Sequence, residues 1–359
     1  MMNKKIKKFI GITMTITMMT ISMIGCGSTA SVSSSSSSRS KEVNIICWSE
    51  YLPDEVVSDF EVKTGVKVNL TTFTSPDEML AKVQSSAKGT YDMIISPEDN
   101  IKVLNSQGLL DKINKDNIEN YKNINEEYMS SSNDPNNEYS IPYMGSSLIV
   151  AVNTDVIKDE IKSYKDLLNP KYKDSMVVVE DPRVIIGAGL IANGYDVNDC
   201  SDEGLKAAKD YLTELRPNIH AFNGDSPKTL LINGECSIGL IYGAESALAM
   251  DENPAIKAIY PEEGYSLGVD VMMKTSEAKN SENADLLINY ILDPEVSASI
   301  SQVFPYINPN KAAQKYLSED YLNNDLKNVP VDKIAEAKRF IDISENLSKI
   351  TDIWMSFKG

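Results

Sequence analysis

Between Glu42 and Gly108 the apolar residues alternate between two spacings. Val43 to Cys47 is an apolar run the length of a buried strand, and Val66 to Thr71 alternates apolar with polar positions, which predicts a second strand. Between them Val56, Val57 and Phe60 recur at helical spacing across Asp54 to Thr64, and Gly65 follows where a left-handed cap costs little. Ser75-Pro76-Asp77-Glu78 joins an N-cap serine, a proline at the first helical position and an acid three residues after the cap, predicting a helix to about Ala87. Tyr91 to Ile95 reads as another buried strand, and a further helix ends before Gly108. This βαβαβ order implies a mainly parallel sheet with crossover helices.

The pattern returns in the second half. Met176 to Val179 predicts a strand, Arg183 to Asn193 a helix capped by Gly194, Ser201 to Leu215 a helix, and Ser237 to Tyr242 a strand. Two α/β lobes are therefore expected, and the roughly 320 residues after the serine run suffice for them. The sequence contains no internal repeat.

The first residues follow a different logic. Lys4, Lys5, Lys7 and Lys8 precede an apolar, Met-rich segment from Phe9 to Ile24, then come Gly25-Cys26 and the serine run Ser33 to Ser38. A basic head, a short apolar middle and a small residue at the cut describe an export signal over residues 1–25. Met23-Ile24-Gly25-Cys26 resembles the lipobox of bacterial lipoproteins, with Met23 where Leu is commoner, and this makes Cys26 the expected acylated first residue. Two acyl chains on it would anchor the body to the outer face of the cytoplasmic membrane. An uncut membrane anchor is the alternative, and it leaves the body on the same side. Residues 26–41 are low in complexity and rich in serine, and read as a flexible stalk.

Without the four leading lysines the net charge of −17 becomes −21. That excludes nucleic acid as an expected partner. Cys47, Cys200 and Cys236 remain beside Cys26, an odd number with no metal-ligand spacing. A Cys200–Cys236 disulfide and three free thiols both stay open.

In open α/β sheets ligands bind outside the carboxyl ends of the strands. Those positions carry Trp48-Ser49-Glu50-Tyr51, Ser96-Pro97-Glu98-Asp99, Glu180-Asp181 and Tyr242-Gly243-Ala244-Glu245, to which Asp270 and Tyr306 add. A carboxylate fixes an ammonium through a charge-assisted hydrogen bond, and an aromatic face lines methylenes while attracting positive charge. Acids and rings together are the chemistry of an alkylammonium pocket. Taken singly each has an ordinary alternative: Trp48, Tyr242 and Tyr306 as core, and Glu98, Asp99 or Asp181 as helix N-caps.

From about Val43 to Ala313 the chain resembles the spermidine/putrescine-binding proteins of polyamine ABC importers, which have the type II periplasmic-binding-protein fold. The resemblance lies in ordered stretches such as CWSEYLPDEVVSDFEVKTGVKV, YSIPYMGSS, LRPNIHAFN, INGECSIGLIYG, IYPEEGYSLGVD and YINPNKAA. It implies a two-lobed fold, each lobe a mainly parallel sheet flanked by helices, with the ligand in the interlobe cleft. It also implies that Trp48, Ser49, Glu50, Tyr51, Asp181, Tyr242, Glu245, Asp270 and Tyr306 line the ligand. Relatives carry tryptophan at Tyr242, and putrescine-preferring ones carry aspartate at Glu245. Three departures stand out: Val184 replaces a glutamate, Gly268 replaces a tryptophan, and Ser96-Pro97-Glu98-Asp99 replaces a Ser-x-Tyr motif. Glu98 or Asp99 is the candidate to restore the lost carboxylate, which would favour a shorter diamine or another amine.

Other function classes have weaker support. The one histidine, His220, leaves no histidine-based triad or zinc site, and Gly187-Ala188-Gly189 lacks the third glycine of a dinucleotide fingerprint. Glu180 and Asp181 are adjacent on an extended segment and so point apart, unlike a cooperating catalytic pair. The chain is expected to be a substrate-binding protein rather than an enzyme, monomeric, without cofactor or metal, capturing putrescine or spermidine for a permease with its ATPase. A receptor of the same fold for a different cationic amine, a thiamine-like ligand, a metal or an anion is the alternative, and a cleft enzyme the weaker one. The first lobe is placed at 42–146 and 269–314, the second at 147–268 and 315–359, with hinges near Met144 to Leu148 and Tyr265 to Val269.

Overall fold

A computed structural model describes residues 40–359. The expected export signal, Cys26 and the expected serine stalk up to residue 39 lie outside the described residues. The first strands and helices follow the periodicities closely: β1 (Glu42–Trp48), α1 (Asp54–Thr64), β2 (Lys67–Phe73), α2 (Pro76–Ser85), β3 (Met93–Pro97) and α3 (Asn100–Ser106). Gly65 ends α1 at φ 70°, and the Ser75 hydroxyl accepts from the Glu78 amide at the start of α2. Both β2 and β3 pair with β1 in parallel.

A short β4 (Leu110–Asp111) is followed by β5 (Ser140–Asn153), a 14-residue strand on which much of the architecture turns. Then come β6 (Met176–Val179), α4 (Pro182–Ala192), α5 (Asp202–Leu215), β7 (Ile219–Asn223), α6 (Lys228–Ile232), β8 (Ile238–Tyr242) and α7 (Gly243–Glu252). The chain continues through β9 (Ile256–Ile259), β10 (Ser266–Thr275), α8 (Ser281–Ile291), α9 (Pro294–Val303), α10 (Glu319–Leu322), α11 (Val331–Glu336), β11 (Lys338–Arg339) and α12 (Leu347–Lys358). The strand order is β2-β1-β3-β10-β5-β8-β6-β7. Up to Ser147, β5 runs antiparallel to β10; from Leu148 on, it pairs with β8 and β9. One strand thus serves two sheets.

Periodicity misses β5 and β10 because both are buried on nearly every position, so no face alternates. Pro142 and Gly145 also punctuate β5 like a turn. The proline is tolerated at a bulge: Asp270 pairs with Met144 and Val271 with Pro142, which leaves Tyr143 unpaired between them.

Each sheet is covered on both faces, as parallel sheets require. Around β1, Val43, Ile45 and Cys47 pack toward Phe60, Leu287 and Ile288, while Ile46 packs with Phe73, Met79 and Leu104 on the other side. In the second sheet Val178 and Leu240 join Ile185, Leu212 and Trp354, and Val177 and Ile241 face Leu231 and Ala249. Gly189 allows α4 to lie close on α5, since a Cβ there would stand 3.2 Å from the Ala208 backbone. Cys47, Cys200 and Cys236 are free thiols, which closes the disulfide alternative.

The residues after Lys315 touch both halves. Tyr321 donates to the Tyr306 carbonyl, Leu326 packs with Ile149 and Ala247, and Val329 joins the cluster around Phe73. β11 then pairs with β10, and α12 docks Ile350, Trp354 and Phe357 into the second core.

The first half is clamped by Asp92, buried just before β3. Its carboxylate accepts from the amide and side chain of Asn44 on β1, and from the amide and side chain of Asn280 at the start of α8. Asp92→Ala strands these buried donors and should cost about 3 kcal/mol of unfolding free energy. The check is a lower urea midpoint at unchanged slope.

Candidate ligand-binding site

The strand ends converge on one cavity of about 1100 Å³ of atom-free space, counted out to its solvent mouth. Trp48 ends β1, and Ser49, Glu50 and Tyr51 turn away behind it, with Glu50 in the left-handed region at φ 54°. Glu98 and Asp99 follow β3, Asp181 follows β6, Tyr242 ends β8, and Glu245 lies in the first turn of α7. Asp270 sits on β10 at the β5 bulge, and Tyr306 follows α9. All eleven of these residues line this cavity.

The floor is aromatic. Trp48 packs on Phe73 with ring centroids 4.5 Å apart, and Tyr51 meets Tyr306 at 5.5 Å and Tyr143 at 5.9 Å. The bulged Tyr143 donates its hydroxyl to the Tyr51 carbonyl at 2.5 Å, fixing the loop. Two carboxylates are held by this scaffold. Asp270 accepts from the Tyr51 hydroxyl and, at 3.3 Å, from the Trp48 indole. Asp181 accepts from the Val184 amide, capping α4, and from the Tyr242 hydroxyl at 2.9 Å. It is both helix cap and cavity wall. Burial pushes the hydroxyls of Tyr51, Tyr242 and Tyr306 well above the usual range, so they stay neutral donors.

Four of the eight acids lining the cavity already have a cation. Arg339 grips Glu98 with both carboxylate oxygens at 2.9 Å, Lys358 pairs with Glu180, and Lys228 bridges Glu50 and Glu245 at 3.3 and 3.0 Å. Asp99, Asp181 and Asp270 have no ion pair within 4.0 Å among the described residues. Burial raises Asp270 to about 7, with the charges of Asp99 and Asp181 adding to the rise. Burial likewise raises Asp99 to about 6, against the pull of the Arg183 guanidinium, and burial raises Asp181. Glu98, expected to contact an amine, is committed to Arg339; its neighbour Asp99 is the unpaired one.

Among the described residues Arg183 is the one basic residue on the cavity wall. Its guanidinium is built into the protein: Nη1 donates to the Val197 carbonyl, Nη2 to the Asn198 side chain, and its plane lies 4.9 Å from the Phe340 ring centre. Sequence reading missed Lys228, Arg339 and Phe340. Nothing local marks them, because tertiary contacts alone bring them in. Phe340 follows the couple Leu267–Arg339, which sets it beside Gly268. The tail thus supplies a ring next to the position where relatives carry tryptophan. His220 lies away from the cavity, between Asp174 and Glu235.

The sequence pattern of bacterial extracellular solute-binding proteins matches residues 55–328. The chain belongs to that family. The spermidine/putrescine-binding periplasmic protein of Salmonella typhimurium is 32% identical over 278 residues, covering 77% of this chain and 80% of its own. The putrescine-binding periplasmic protein of Escherichia coli is 26% identical over 79% of this chain and 82% of its own. A Listeria monocytogenes structure described as a spermidine/putrescine ABC transporter superposes with a TM-score of 0.85 at 26% identity, covering 89% of this chain and 99% of its own. The Streptococcus pneumoniae spermidine/putrescine substrate-binding protein superposes at 0.77 and 28%, with the same coverage. This is a periplasmic-binding-protein fold, in a family of solute receptors rather than enzymes.

The unpaired acids make the ligand-free protein pH-sensitive. Asp270 and Asp99 titrate at about 7 and about 6 in the fold, against an ordinary 3.8. The folded state therefore holds the extra protons, and their stabilising contribution is complete below about pH 4 and lost as pH rises through 7. Melting temperature should fall between pH 5 and pH 8, and Asp99→Asn/Asp270→Asn should flatten that slope.

Proposed function

We propose that this chain captures a polyamine, putrescine or spermidine, outside the cell and delivers it to the permease of an ABC importer. One observation carries the reading: Asp99, Asp181 and Asp270 line one cavity with tyrosine and tryptophan rings, Asp181 buried and the other two half-buried, and none has an ion-pair partner among the described residues. A buried carboxylate is costly unless a cation meets it, and an alkyldiammonium brings cations joined by methylenes that the rings can cover. The names of the relatives point to the same ligand class.

In this reading Trp48, Tyr51, Tyr242 and Tyr306 cover the methylenes, and Asp270 and Asp181 anchor ammonium groups. Ser49 and Glu50 close the mouth; the Ser49 hydroxyl donates to Asp225 across it at 2.7 Å. The lobes comprise 42–146 with 269–314, and 147–268 with 315–359. They rotate about the partner change in β5 and the entry into β10. Cys26 carries the lipid that keeps a monomeric receptor on the outer face of the cytoplasmic membrane.

Calorimetry of residues 40–359 against putrescine, cadaverine, spermidine, choline, thiamine and 4-aminobutyrate tests the reading. At least one polyamine should bind, and a response confined to choline, thiamine or 4-aminobutyrate overturns it. Asp270→Asn should weaken that polyamine by roughly 10- to 100-fold, the worth of a charge-assisted hydrogen bond. Binding an ammonium stabilises the ionised carboxylates, so protons leave on binding below about pH 7 and affinity rises with pH up to that point. Titrations in buffers of different ionisation heat read the released protons.

A further inference from the structure

Lys228 puts an ammonium group of the protein's own beside the cavity. It opens α6 directly after Pro227, which lines the wall. Its Nζ donates to Glu245 at 3.0 Å, to Ser226 Oγ at 3.0 Å and to Glu50 at 3.3 Å, so its three protons are all engaged. The side chain is 16% exposed and that of Glu245 only 6%. Glu50 belongs to the first half and Glu245 to the second, so the bridge crosses the mouth.

The same cavity holds two acidic groups of different kinds. Asp99, Asp181 and Asp270 face one another and Arg183, which leaves two negative charges unmatched when all three are ionised. Glu50 and Glu245 form the other group. Tyr306 lies within electrostatic reach of Asp270 as well as of Glu245 and Glu50, so the two groups meet around its ring. A ligand long enough to pass Tyr306 from the aspartates finds the positions around Glu245 taken by Lys228.

We propose that Lys228 is an internal substitute for a ligand ammonium that sets ligand length, so that the cavity takes a diamine and turns away a triamine. Two ammonium groups match the charge of the aspartate group. A third would have to share the Glu50–Glu245 pair with Lys228, and like charges at that distance repel beside Glu245, whose side chain is sheltered from water even though that of Glu50 is half exposed. Specificity then comes from a repulsive element as much as from attraction. The inference rests on the polyamine reading.

The experiment compares putrescine and spermidine by calorimetry on the wild-type body, Lys228→Met, Lys228→Arg and the double variant Lys228→Met/Glu245→Gln. Wild type should prefer putrescine. Lys228→Met keeps the stem and removes the charge, and it should raise the ratio of spermidine to putrescine affinity about tenfold or more. Lys228→Arg should keep the wild-type ratio. The double variant should lose the gain, because the freed carboxylate is what receives the third ammonium. A wild-type preference for spermidine overturns the proposal whether or not the variants fold, and so does an unmoved ratio in a folded Lys228→Met. If wild type binds no amine at all, the polyamine reading itself falls, which is a different result from binding with the wrong ratio.

Discussion

Carboxylates withdrawn from water without a counter-charge are the constraint around which this molecule is arranged. A contrast within the first half makes the point. Lys274 and Asp285 are both buried and meet at 2.6 Å, a pair closed upon itself. Asp270, four residues earlier on the same strand, is half-buried and receives only neutral donors from Tyr51 and Trp48. Hydroxyl and indole groups hold its position without cancelling its charge. The protein could have placed a lysine there, as it did for Asp285; an open negative charge in a cavity wall favours a cation over a neutral or anionic occupant.

The backbone is bent to suit. The bulge at Tyr143 interrupts the β5–β10 ladder beside Asp270, and the displaced Tyr143 returns to the Tyr51 carbonyl. One irregularity therefore orients both the acid and the loop that carries its donors. Because β5 also continues into the second sheet, the walls bearing Asp181, Tyr242 and Glu245 are referenced to the same strand. Precision at the site comes from rigid strands on either side rather than from the loops themselves.

Much of this was legible in the chain. Local codes are strong where a helix starts or stops: Ser75-Pro76, Gly65 and Asp181-Pro182 all mark real boundaries. The acids and rings after the strands share a cavity because strand ends are where α/β sheets leave room. What escaped has a common cause. β5 and β10 have no polar face to produce a period, and Lys228 and Arg339 reach the cavity's acids, and Phe340 its wall, only through tertiary packing. Which of Glu98 and Asp99 stays without a cation escaped for the same reason, since it depends on an arginine 241 residues away.

That last contact has wider meaning. Arg339 neutralises Glu98, Phe340 presents its ring beside Gly268, and Lys358 satisfies Glu180, yet none of them belongs to a strand of the central path. The closing segment works as an exchangeable wall panel laid over a finished frame. Substitutions there can retune charge and shape inside the chamber while every sheet register stays untouched, which gives a lineage a short route from one cargo to another without rebuilding the receptor.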